Sequence, residues 1–108
     1  MPMEHENCPC METCPLNRAM ALIGGKWKMQ ILCSLYNNGP TRYNQLKKTL
    51  DGVSNTVLAN ALRELEEDGL VLRREYLEVP VRVEYEITAP GRALVPILDR
   101  LGDWSMGL

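Results

Sequence analysis

The sequence predicts an α+β fold that is mainly helical, and three observations carry this prediction. Apolar residues recur at the helical spacing i, i+3, i+4 and i+7 near both ends and in the middle of the chain. After Gly69 the apolar period changes to two, which indicates a pair of strands over 71–76 and 81–87. The length of 108 residues suits a single domain with its own hydrophobic core.

Composition excludes several classes of protein. Hydrophobic residues make up 45% of the chain, which is typical of a globular domain. No apolar run reaches the roughly 18 residues that a membrane span needs. Residues 1–10 lack the basic and apolar segments of a secretory signal. We therefore expect a cytoplasmic protein without membrane contact, in which cysteines stay reduced unless they sense or bind something.

The charges are segregated along the chain, although the net charge is only −2. Residues 26–50 contain no acidic residue and five basic ones, namely Lys26, Lys28, Arg42, Lys47 and Lys48. Such a block is either a solvated face or the electrostatic footprint of a protein that binds phosphate groups.

Two helices are expected in the first third of the chain. The first starts at Pro15, which suits the first helical position and places Cys14 at the N-cap. It ends before Gly24, and its apolar residues are Leu16, Ala19, Met20 and Ile23. A central helix follows over about 26–37, with its inward side formed by Trp27, Ile31, Leu32 and Leu35.

A short helix and a longer one are expected next, joined by a tight turn at 51–53. Asn44 is a plausible N-cap for the short helix, and Ser54 caps the longer one, which ends at Gly69. Because successive residues of a helix are rotated by about 100° around its axis, the residues of the longer helix divide into two faces. The inward face contains Val57, Leu58, Ala61, Leu62 and Leu65, and the opposite face contains Asn55, Thr56, Ala59, Asn60 and Arg63.

The sequence pattern of the C-terminal third of the chain predicts a hairpin and a last helix. Residues 77–80 form the hairpin tip, and Thr88 caps the helix. Pro96 lies inside this helix and should kink it or mark a late start. Its inward residues are Leu94, Ile97, Leu98, Leu101 and Trp104. This order of elements predicts a winged helix-turn-helix with a two-stranded wing.

The polar face of the longer helix has the chemistry of a DNA-reading helix. Arginine recognises guanine O6 and N7, asparagine recognises adenine N6 and N7, and small side chains contact the thymine methyl group. Lys47, Lys48 and Arg42 would lie near the phosphate backbone, and Ser54 would lie at the helix start. Arg82 would reach the minor groove from the wing. The alternatives are a solvated helix face, and pairing of Arg82 with Glu84 or Glu86.

The sequence also resembles the HxlR-type family of bacterial winged-helix transcription regulators, relatives of the MarR group. The resemblance covers about residues 14–104, and its motifs are CPL at 14–16, IGGKW at 23–27, GPTRYNQL at 39–46, LRELEEDGLVLR at 62–73 and VPVRVEYEIT at 79–88. It implies a homodimer that binds a palindromic operator in double-stranded DNA and acts as a repressor or an activator.

The resemblance also implies that the first and last helices form the dimer interface. The residues expected there are Leu16, Met20, Leu94, Ile97, Leu98, Leu101 and Trp104. We divide the chain accordingly into an N-terminal leader, residues 1–13, and a winged-helix domain, residues 14–108.

Three of the four cysteines lie within seven residues, at Cys8, Cys10 and Cys14. Members of the resembled family that sense oxidants or electrophiles use an N-terminal cysteine, and Cys14 occupies the matching position. A helix N-terminus lowers the pKa of a thiol, and the thiolate is the reactive form. Oxidation would join Cys14 to its counterpart in the dimer, or to Cys8 or Cys10.

Other interpretations of the leader stay open. His5, Cys8, Cys10 and Cys14 offer soft metal ligands, although their spacing is not that of a familiar zinc site. Inert thiols and a small-molecule signal are further alternatives, and Cys33 is expected to be a buried hydrophobic residue. No catalytic arrangement accompanies the single histidine, so we expect no enzyme, no cofactor and no resident metal. A winged helix used only for protein interaction is the remaining alternative.

Overall fold

The computed structural model describes residues 14–108. Within them lie five helices and three strands: α1 (Pro15–Ile23), α2 (Lys26–Asn38), β1 (Thr41–Arg42), α3 (Tyr43–Thr49), α4 (Asn55–Glu67), β2 (Val71–Tyr76), β3 (Arg82–Ile87) and α5 (Ala89–Met106). The mainly helical α+β prediction and the winged helix-turn-helix prediction are both confirmed. The leader, with His5, Cys8 and Cys10, lies outside the described residues.

The wing is the β2–β3 hairpin together with its connecting residues 77–81. Its strands are antiparallel, with Val71 opposite Ile87 and Tyr76 opposite Arg82. The prediction of two strands was incomplete, because β1 pairs with β3 and makes a three-stranded sheet in the order β1-β3-β2. A strand of two residues is too short to show an alternating pattern in the sequence.

The predicted starts of α1, α4 and α5 are correct. Cys14 is the N-cap of α1 and Pro15 is its first residue. The Ser54 hydroxyl accepts a hydrogen bond from the backbone N–H of Val57, and Thr88 caps α5 in the same way. The prediction of Asn44 as N-cap of α3 was wrong, because Arg42 holds that position at the end of β1.

A single core lies between α2, α3, α4 and the sheet. Its fully buried side chains are Ile31, Leu32, Leu35, Leu46, Leu58, Leu62 and Leu65. The assignment of Val57 to the inward face of α4 was wrong, since this side chain is 42% exposed. Val57 lies on the flank of α4 that borders a cleft beside the start of α2.

Only the N-terminal part of α5 packs within the protomer. Gly91 and Val95 are buried, while Leu94 and Leu98 are half-buried against the core. The sequence prediction that Ile97, Leu101 and Trp104 face the protomer core was wrong, because all three are exposed. Pro96 lies inside an uninterrupted helix. None of the described helices is long and apolar enough to cross a membrane.

Candidate nucleic-acid interface

The outer side of α4 presents the five polar and small residues that the sequence analysis singled out. We call this row the reading face; all of its members are exposed, namely Asn55, Thr56, Ala59, Asn60 and Arg63. The Ser54 cap fixes the N-terminal end of α4, with 3.1 Å between Val57 N and Ser54 Oγ. The Tyr43 hydroxyl lies 3.1 Å from Asn55 Oδ1, so α3 also positions this end.

Arg63 and Asn60 form a pair on the reading face. The Arg63 guanidinium donates to Asn60 Oδ1 at 3.0 Å, and it lies 3.6 Å from the carboxylate of Glu67. Exposed contacts of this kind contribute little free energy, about 0–1 kcal/mol. Both side chains can therefore exchange these contacts for other hydrogen-bond partners at little cost.

The basic side chains near α3 lie beside the wing. Lys48 and Arg42 are exposed, and Lys47 is half-buried in the last turn of α3. A cavity of about 430 Å³ separates α3 from the wing, and its lining includes Arg42, Lys48, Val81 and Arg82. The three cations of this lining come from three different elements, β1, α3 and β3, which the fold brings together at one opening.

Arg82 is held inside the wing by several groups. Its guanidinium lies 3.1 Å from Glu78 and 3.5 Å from Glu84, and it stacks 4.0 Å from the centre of the Tyr76 ring. Of the two pairings considered from the sequence, the structure shows the one with Glu84. Glu86 instead accepts a hydrogen bond from Arg74 at 2.6 Å. The charge of Arg82 is thus compensated within the wing.

An ion pair between α2 and α4 was not anticipated. Lys28 Nζ lies 2.7 Å from Glu64 Oε1, and the Lys28 side chain is only 11% exposed. Nothing in the sequence points to this pair, because its members are distant in the chain. The bond fastens α4 to α2 and removes Lys28 from the exposed part of the basic block.

The Lys28–Glu64 pair makes a testable contribution to stability. The hydrogen bond and charge of Lys28 hold the pKa of Glu64 below its ordinary value of 4.5. A lowered carboxyl pKa means that the pair stabilises the fold above about pH 4.5 and loses this effect as the pH falls through the lowered pKa. Glu64→Gln should therefore lower the Tm at pH 7, and the two melting temperatures should converge in acid. A Tm difference that stays constant down to pH 3 would contradict this assignment.

The two described cysteines, Cys14 and Cys33, lie in different environments. Cys14 is buried at the start of α1. Cys33 is half-buried on α2, where burial, followed by the charge of Asp99, raises the pKa of its thiol. A raised pKa disfavours the reactive thiolate at Cys33. No cluster of metal-ligating side chains occurs among residues 14–108.

The residues expected at a dimer interface lie on two neighbouring helices. Leu16 and Met20 on α1 and Ile97, Leu101 and Trp104 on α5 are exposed. Leu94 and Leu98 are half-buried. An apolar cleft of about 260 Å³ separates α1 from α5, and Leu94 and Ile97 are among its lining residues. Both helices that border this cleft therefore carry exposed apolar side chains.

A capped, polar helix on a winged helix-turn-helix scaffold is typical of transcriptional regulators of the helix-turn-helix class. A family model described as HxlR-like helix-turn-helix matches residues 22–108, and the chain belongs to that family. The resemblance noted from the sequence is thereby confirmed.

Three known proteins illustrate the likeness. MalR of Fusobacterium mortiferum, which is named as a regulatory protein, is 43% identical over 91 residues, or 84% of this chain and 86% of MalR. The redox regulator HypR in its oxidised form superposes with a TM-score of 0.80 at 36% identity, covering 88% of this chain and 97% of HypR. The reduced form of the transcriptional regulator YodB from Bacillus subtilis superposes with a TM-score of 0.77 at 33% identity, covering 86% of this chain and 91% of YodB.

Proposed function

We propose that this regulator binds double-stranded DNA in the cytoplasm, and that a homodimer recognises a palindromic operator. The observation that carries the proposal is the reading face of α4, an exposed row that includes Asn60 and Arg63. These side chains match the donor and acceptor patterns of adenine and guanine in the major groove. The helix that carries them is fixed by a cap, by Tyr43 and by the Lys28–Glu64 pair.

A homodimer would give the exposed apolar side chains of α1 and α5 a partner. Clustered exposed apolar residues mark interaction sites, and both helices that border the apolar cleft carry such residues. In a two-fold dimer the two α4 helices would meet successive major grooves, about 34 Å apart, on one face of the duplex.

Lys47 and Lys48 are proposed to contact phosphate groups from the last turn of α3. Each phosphate contact releases counterions, so log K falls with log salt by about 0.9 for each contact. Replacement of both lysines with alanine should lower this slope by about 0.9 per lost contact and weaken binding equally for different DNA sequences. The measurement is a fluorescence-anisotropy titration at four salt concentrations. Arg92→Ala with Arg100→Ala on α5 is the matched control, and an unchanged slope in the lysine variant would remove these residues from the interface.

Oxidation of Cys14 is proposed as the signal. HypR is named as a redox regulator, and Cys14 lies at the start of α1, next to the proposed dimer surface. An oxidant such as diamide would take two electrons and two protons from a pair of thiols and leave one disulfide bond. The second thiol is Cys14 of the other protomer, Cys8 or Cys10. A bond at this place would change how α1 packs in the dimer, and so the distance between the two reading faces.

The test of the thiol proposal is a titration of DNA with reduced and with diamide-treated protein. We expect the affinity for the duplex upstream of the protein's own gene to change on oxidation, and Cys14→Ser to abolish the change. Cys33→Ser is the control and should respond as the wild type does, since the raised pKa of Cys33 disfavours oxidation. Equal responses of the wild type and Cys14→Ser would discard the thiol switch and leave DNA binding untouched.

A further inference from the structure

Arg63 sets the orientation of the Asn60 side chain on the reading face. The Arg63 nitrogen Nη2 donates a hydrogen bond to Asn60 Oδ1 at 3.0 Å. A guanidinium group has five N–H donors and no acceptor, so only the oxygen of the Asn60 amide can face it. The NH2 group of Asn60 is therefore turned away from Arg63.

Two ion pairs on α4 favour this arrangement. The carboxylate of Glu67 lies 3.6 Å from Arg63 Nη1, so the guanidinium is held between a residue three positions before it and one four positions after it. Glu64, four residues after Asn60, is a helical neighbour that could accept from the NH2 group, but Lys28 Nζ lies 2.7 Å from its carboxylate and draws it towards α2. The NH2 group of the exposed Asn60 side chain is thus left for a partner outside the chain.

This orientation changes the base that Asn60 can recognise. Adenine needs an amide that donates to N7 and accepts from the N6 amino group. With Oδ1 engaged by Arg63, Asn60 presents donors alone, and the N6 amino group of adenine would meet no acceptor. Guanine presents two acceptors in the major groove, O6 and N7, and both match the free NH2 group.

The bond between Arg63 and Asn60 is weak in water, but a base pair either preserves it or breaks it. Guanine preserves it, whereas adenine is fully paired only after the bond breaks and the amide turns over. A polar group left unpaired in an interface that excludes water costs more free energy than the same group in solvent. The difference of about one hydrogen bond favours guanine.

We infer that Asn60 donates to a guanine of the operator, and that Arg63 sets this specificity by engaging the amide oxygen of Asn60. This inference rests on the proposed DNA binding, and it adds the base that Asn60 recognises. Arg63 is then a positioning residue for Asn60 as well as a base-contacting residue. The expectation of adenine came from the residue type alone, which does not reveal which atom of the amide is free.

The first experiment assigns the base pair that Asn60 contacts. The DNA is a duplex that the wild type selects from a random-sequence pool, and each of the four base pairs is placed in turn at every position of one half-site. Fluorescence anisotropy gives the affinities of the wild type and of Asn60→Ala, and the contacted position is the one where Asn60→Ala loses the base preference. We expect the wild type to prefer guanine to adenine there by about 5-fold, which corresponds to one hydrogen bond.

Arg63→Ala tests the positioning role on the same set of duplexes. The substitution releases Asn60 Oδ1, so the preference at the position assigned to Asn60 should move from guanine to adenine. Glu67→Gln is the matched control, because it keeps the guanidinium and its bond to Asn60 and should retain the preference for guanine. 7-Deazaguanine at this position lacks the N7 acceptor, and it should weaken binding of the wild type but not of Asn60→Ala.

The outcomes separate this inference from the proposed function. If the wild type selects a duplex but binds adenine at this position as tightly as guanine, the donor role of Asn60 is overturned and the DNA-binding proposal stands. A guanine preference that survives in Arg63→Ala would overturn the positioning role of Arg63. An Asn60→Ala variant that keeps every base preference would remove Asn60 from base recognition. Failure of the wild type to select any duplex would overturn both proposals.

Discussion

Arg63→Ala is expected to lower the affinity for the selected operator by about 10- to 100-fold, the range of one bidentate base contact. The guanidinium is exposed at the C-terminal end of the reading face, and its present partners, Asn60 and Glu67, are weak surface contacts. The loss should be concentrated at one base pair of each half-site. Titration of operators that carry single base-pair substitutions, with the wild type and with Arg63→Ala, shows whether the loss of affinity is largest at that base pair.

Glu67→Gln is the control for the Arg63 prediction. It removes the carboxylate partner of Arg63 and keeps the guanidinium, so it should retain preference for the same base pair. A uniform loss for Arg63→Ala across all operator variants would show that Arg63 contacts phosphate only. An unchanged affinity would show that Arg63 does not contact the DNA.

Ile97→Asp combined with Leu101→Asp is expected to produce a monomer and to weaken operator binding by roughly 100-fold or more, because the two half-sites would no longer be bound by one linked molecule. Both side chains are exposed on the same side of α5, where two buried carboxylates would be costly in a dimer interface. Sedimentation equilibrium measures the state of association, and the anisotropy titration measures the consequence for DNA.

Met106→Asp is the matched control for the dimer prediction. Nine residues separate it from Ile97, which places it about 180° away around the helix, and its side chain is also exposed. We expect this variant to remain dimeric. A dimer that survives the paired substitution would show that α5 does not form the interface.

Short-range features of the fold were predictable from the sequence. Ser54 and Thr88 cap their helices with bonds to the third following residue, and such bonds depend on local residues alone. The reading face was predictable for the same reason. Successive helical residues are rotated by about 100°, and this rotation alone separates Asn60 and Arg63 from the buried leucines.

Features that depend on distant residues were not predictable. Arg42 replaces Asn44 as the N-cap of α3 because β3 draws residues 41–42 into the sheet. The Lys28–Glu64 pair and the exposure of Val57 arise from the way α2 packs beside α4. The bond from Arg82 to Glu78 forms beside the hairpin tip, where no alternating pattern guides a prediction.

We expect two copies of this chain to read one operator through α4. The most direct measurement is a stoichiometric titration of the selected duplex and of a duplex with shuffled half-sites, at several salt concentrations. We expect two protomers per selected duplex and a preference over the shuffled duplex that persists as salt rises. Equal affinity for both duplexes at every salt concentration would contradict it, since the binding would then depend on phosphate charge alone.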